Sequence, residues 1–111
     1  MTDLTAAAQA VSAAQKVVDA GIARLAEIGI DDNQVLAYDV AHAAAAVQTS
    51  QSLLDSYGPK GDVEARITVA FIADAVAEIA GKLFGREDDW GIDAAALDGT
   101  RAFVSAYRKP E

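Results

Sequence analysis

Residues 62–84, DVEARITVAFIADAVAEIAGKLF, decide the fold. Ala65, Val69, Ile72, Val76, Ile79 and Leu83 recur at spacings of three and four. At 3.6 residues per turn, such positions form one apolar stripe along an α-helix. Val63, Ile67 and Phe71 fall well away from that stripe, on another side. A helix that is apolar on two sides packs between neighbours, so this segment is expected to be the centre of an all-helical fold. Asp62 is placed to cap it after the Lys60-Gly61 turn, and Gly85 follows its end. Val69, Ile72 and Val76, together with Val47 of the preceding segment, are the expected centre of the core.

That preceding segment opens on Asp31 as its cap. Gln34 is placed to reach back to it, and Ile30 is spaced to staple onto Val35. Its seam is Leu36, Val40, Ala43, Val47 and Leu54, closed by Tyr57 and stopped by Gly58-Pro59. Ala37, Ala41 and Ala45 occupy a face that usually carries charge. They read either as good helix formers or as a smooth surface against which another element docks.

A first helix is expected over residues 3–28. Leu4, Val11, Val18 and Leu25 recur every seven residues, and Ala8, Ala14, Ile22 and Ile28 fill the same stripe. Such a seam suits packing at a shallow angle, and Gly29 is placed to end the helix in a left-handed conformation. After a charged hinge at residues 86–89 come Trp90-Gly91 and a shorter helix. Asp93 is its expected cap, Ile92 is spaced to staple onto Leu97, and Leu97, Val104 and Tyr107 continue its face, with Gly99 placed to split it. No segment alternates with period two. Short connections imply antiparallel neighbours, hence one domain, residues 1–111: an up-down bundle of three long helices and a shorter fourth.

Composition supports this. Alanine, at 26 of 111 residues, has the highest helix propensity because its side chain loses no rotamer entropy. Seventeen acidic residues against nine basic ones leave a net charge of −8, which repels phosphate backbones and anionic lipid. Neither nucleic acid nor a membrane is therefore expected as a partner. The absence of cysteine excludes disulfides and thiolate metal sites and suits a reducing cytoplasm. The first residues lack a basic region followed by an apolar run, so no secretion signal is expected. No stretch of the length needed for a membrane span is free of polar groups.

Few residues suggest chemistry. Asp39 and His42 stand at i, i+3, a spacing that in bundle metalloproteins turns a carboxylate and an imidazole inward together. His42 is the sole histidine, however, and such a site needs two of these motifs. The structural alternative puts both at the core edge, His42 between Val35 and Leu53, bonded to each other or to a neighbouring helix; contact with a partner is the third reading. Asp74 reads as a solvated carboxylate or as a polar anchor in an interface, with Arg66 and Glu78 in its neighbourhood. Glu78 and Lys82 are spaced as a surface ion pair, and Trp90 reads as a hinge anchor over the bundle end in preference to a ligand platform. Residues 58–61, GPKG, lack the spacing of a phosphate loop. The serines and threonines have no histidine in a triad-like context besides His42.

The run VLAYDVAHAAAAV at residues 35–47 resembles bacterial acyl-CoA dehydrogenases that carry an extra helical domain before the flavoprotein core. GDVEAR at 61–66, AFIADA at 70–75 and GKLFGRE at 81–87 add to the likeness. YRKPE at 107–111 looks like the place where such a domain passes into the next segment. The resemblance covers residues 30–111 and is weaker over the first helix. Its family uses FAD to oxidise an acyl thioester at the α,β carbons, a glutamate taking the α proton, in helical domains around a middle β domain, commonly as dimers or tetramers. This chain has no such β domain and no glutamate that matches the base. The resemblance therefore assigns it no catalytic, cofactor-binding or metal-ligating residue. It implies FAD for the full-length enzyme only, with the flavin-binding core or a second copy as partner, and a role in packing, oligomerisation or substrate-channel shaping. The alternatives are a stand-alone helical interaction module and a bundle metal-binding protein resting on Asp39 and His42.

Overall fold

The periodic segments fold as helices. The computed structural model describes residues 4–93 and 95–108, of which the helices are α1 (Leu4–Ile28), α2 (Gln34–Ser52), α3 (Asp62–Leu83), α4 (Glu87–Trp90) and α5 (Arg101–Tyr107). About 85% of the described residues are helical and none forms a strand. It measures 46 × 24 × 20 Å.

The core forms where α1, α2 and α5 gather on the stripe of α3. Ala65, Val69, Ile72, Val76, Ile79 and Leu83 are all buried, and so is the α2 seam of Leu36, Val40, Ala43, Val47 and Leu54. The α1 stripe needs correcting. Val11, Ala14, Val18 and Leu25 are buried, but Ala8 is exposed and Ile22 is 51% exposed, while Ala7, Ala10, Val17 and Gly21 are buried in their place. α1 faces both α2 and α3, so its buried set is broad and centred away from the heptad line. Ile22 lies about five full turns beyond the half-buried Leu4 and shares its position at the edge of the stripe.

The ends of the helices differ in detail from expectation. Gly29, at φ +90°, closes α1 as its sequence position suggests. Asp31 does not cap α2, which starts after Asn33. Asn33 Nδ2 donates to the Gly29 carbonyl at 2.9 Å, satisfying the end of α1 instead of the start of α2. Ile30 and Val35 are 60% and 68% exposed, so no staple is buried there. Gly61 takes the cap position of α3 and Asp62 is its first helical residue, where its carboxylate still faces the positive end of the helix dipole. α2 does not stop cleanly: it runs through a π turn, Leu53–Tyr57, and a 3-10 turn, Gly58–Lys60.

Among the described residues, no helix covers the second apolar side of α3. Val63, Ile67 and Phe71 are 56%, 48% and 40% exposed. The expected hinge at residues 86–89 is instead mostly helical, as α4, and the shorter helix expected after Gly91 is reduced to a 3-10 turn at Asp98–Thr100 and α5. Asp93 caps only a turn, Oδ1 accepting from the Ala95 amide at 2.8 Å. Leu97 and Phe103 nevertheless reach the core, with Ile92 and Val104 packed at its edge.

Trp90, at the end of α4, is completely buried. It fits because α1 has no side chain at Gly21. A Cβ there would lie 2.9 Å from Trp90 Cε3 and 2.8 Å from Val40 Cγ2, closer than atoms pack.

Candidate functional site

Asp39 and His42 point apart. The Asp39 side chain is only 14% exposed, and Arg86 Nη1 donates to its Oδ2 at 2.6 Å. Lys82 Nζ stands 3.9 Å from Oδ1, and Arg86 Nε is 3.6 Å from Asp89. Asp39 thus ties α2 to the end of α3 and to the segment leading into α4. The hydrogen bond from Arg86 to Asp39 raises the guanidinium pKa above its usual value, outweighing the opposing effect of burial. Lys82 turns to this cluster and forms no ion pair with Glu78.

His42 is exposed, and its ring lies 4.4 Å from that of Tyr38. Neither the bond to Asp39 nor the core-edge position between Val35 and Leu53 is realised: Arg86 and Lys82 draw the Asp39 carboxylate away, while His42 lies beside Tyr38 at the surface. Among the described residues no group of three or more His, Cys, Asp or Glu is placed to hold a metal ion. Asp39→Ala should cost about 1–3 kcal/mol by removing a charged hydrogen bond. His42→Ala should stay within about 0.5 kcal/mol, as for other surface changes. Urea denaturation midpoints of the two variants check both values.

Asp74 is exposed and bridges to Arg108 Nε at 3.2 Å, while Arg66 pairs with Asp62 at 3.4 Å. A groove of about 630 Å³ lies between the second half of α3 and the α5 segment. Ala77, Ala80 and Val104 line it, with Glu87, Asp93, Asp98 and Arg101 among its polar groups. Thr100 and Ser105 lie there without His42, so neither hydroxyl has an imidazole to activate it.

The outer face of α2 differs from the rest of the surface. Charged residues make up 23% of the chain, a share that would place about four on a helix of 19 residues (0.23 × 19). α2 has one, Asp39, and it is turned inward. Every exposed residue of the helix is formally uncharged, Tyr38, Ala41, His42, Ala45, Gln48 and Thr49 among them. Of the three alanines marked in the sequence, Ala37 packs at the core edge, while Ala41 and Ala45 form the middle of this face. Tyr38, 63% exposed, and Val35 also belong to it; sequence reasoning passed over both, and the missing charge over the whole helix is the signal that would have found them.

Compared with protein-family models, curated proteins and solved structures, the chain matches none. Among the described residues no helix is long and apolar enough to cross a membrane.

Proposed function

We propose that the chain is an accessory helical domain of an acyl-CoA dehydrogenase-like oxidoreductase. In this reading it is an up-down bundle of three long helices plus a shorter fourth, works in the cytoplasm, and packs against a flavin-binding core without chemistry of its own. The supporting observation is the uncharged outer face of α2, whose Val35, Tyr38, Ala41, His42 and Ala45 lie within the residues 35–47 that carry the resemblance. Interface centres are depleted of charge and enriched in aromatic residues. Alanines add that covering them costs no side-chain entropy.

FAD belongs to the core in this proposal. The residues of the groove between α3 and α5 do not fit it: Glu87, Asp93 and Asp98 there would repel the cofactor's diphosphate. The purified chain should therefore be colourless and unable to oxidise acyl thioesters.

The coding sequence adjoining residues 1–111 tests the proposal. An adjoining flavin-binding core supports it, and a frame without one overturns it in favour of a stand-alone interaction module. Ala41→Glu tests the face. The variant should keep its helix content, yet bind a flavin-loaded core at least about tenfold more weakly, because the new carboxylate would be buried unpaired. Titration calorimetry reads the difference; unchanged affinity would remove α2 from the interface.

A further inference from the structure

The groove between the second half of α3 and the α5 segment joins an apolar wall to charge of one sign. Ala77, Ala80 and Gly81 leave the α3 side without bulky side chains. A Cβ at Gly81 would meet nothing within 4 Å, so the space in front of that wall is open. Phe84 stands at its end with the ring 78% exposed. Among the described residues, three carboxylates line the groove, Glu87, Asp93 and Asp98, against one guanidinium, Arg101, which leaves a net charge of −2. Arg101 is already tied to Asp98 at 3.4 Å. Glu87 is half-buried and has no ion pair among the described residues.

We propose that this groove binds a lipophilic organic cation, a small molecule with an apolar body and a single positive charge. The body covers the alanine wall, the charge lies among the carboxylates, and Phe84 offers the face of its ring to the same cation.

Charge and size select this occupant. The net negative lining repels an anion. A neutral apolar molecule would strip water from Glu87 and give it no counter-charge in return. A lipophilic cation matches both the wall and the carboxylates. The volume of about 630 Å³ is that of a site for one small molecule. An amphipathic helix needs a longer wall: its anchors from i to i+7 span about 10 Å, whereas Arg101 to Ser105, the part of α5 that lines the groove, rises about 6 Å. The inference concerns α3 and the α5 segment and does not depend on the flavoenzyme reading, which rests on α2.

Titration calorimetry of the chain with tetraphenylphosphonium tests the site, with tetraphenylborate as an anion of the same shape. The cation is expected to bind one per chain in the micromolar range, and the borate at least about tenfold more weakly. Glu87→Gln should weaken the cation about fivefold by removing a carboxylate that faces it. Gly81→Leu should weaken it at least about twentyfold by filling the groove, while circular dichroism shows helix content kept, since leucine is the better helix former and has room there. No binding of the phosphonium at submillimolar concentration, equal binding of the borate, or an affinity indifferent to Gly81→Leu would each overturn the proposal, the last by revealing a general attraction to the acidic chain. A helical leucine-lysine peptide that binds where the phosphonium does not would overturn it in favour of a helix-docking groove.

Discussion

Trp90→Ala should lower stability by about 3–5 kcal/mol, the range for truncating a buried aromatic. The indole is fully buried, against α1 at Gly21, where even one methyl group would collide with it. Removing it would leave a hole between α1, α2 and α4 that the rigid backbone at Gly21 has no side chain to fill. It would also detach the segment that leads from α4 to α5, whose other anchors in the core are Leu97 and Phe103. Trp90→Phe should be much milder. Trp90 Nε1 finds no acceptor among the described residues, and a buried unpaired donor costs about 1–3 kcal/mol that phenylalanine avoids. Urea unfolding followed by circular dichroism separates the two variants. A loss below about 1 kcal/mol for Trp90→Ala would contradict the socket.

Ile72→Ala should cost about 2–5 kcal/mol, the upper part of that range applying where neighbours fail to close over the cavity. Ile72 is completely buried at the middle of the α3 stripe, in a core whose other members are largely alanine and valine. Such short side chains have little reach, so the void would remain largely open. The same denaturation experiment reads the loss. A cost under about 0.5 kcal/mol, typical of a surface position, would mean that another side of α3 faces the core.

The positions behind these two predictions were not equally legible in the sequence. The α3 stripe and the α2 seam stand out because isoleucine, leucine and valine mark the buried side against polar residues. α1 defeats that reasoning: Ala7 is buried and Ala8 exposed, although they are the same residue. With alanine on both sides, periodicity loses contrast and the phase of the stripe slips. Gly21 was open to a closer reading, since a glycine inside a helix weakens it unless something packs there. Asn33 and Asp31 are both acceptable caps by type, and the carbonyls at the end of α1 decide how Asn33 is used.

The candidate site was legible in part for a different reason. Asp39 was picked out by its neighbour His42, but its partner Arg86 lies 47 residues away, a separation that no local spacing reveals. The second apolar side of α3 was visible in the sequence. That the described helices leave it uncovered is a tertiary matter.

The uncharged face of α2 has a further effect, on approach instead of contact. The chain carries a net charge of −8, and residues 86–98 concentrate Glu87, Asp88, Asp89, Asp93 and Asp98 against the single Arg86. The electric field is therefore uneven around the molecule, and the outer side of α2 contributes no formal charge to it. Within a Debye length, about 8 Å at physiological ionic strength, an acidic body approaching that strip meets no like charge from the helix itself. The uncharged face thus removes one source of repulsion before any surfaces touch.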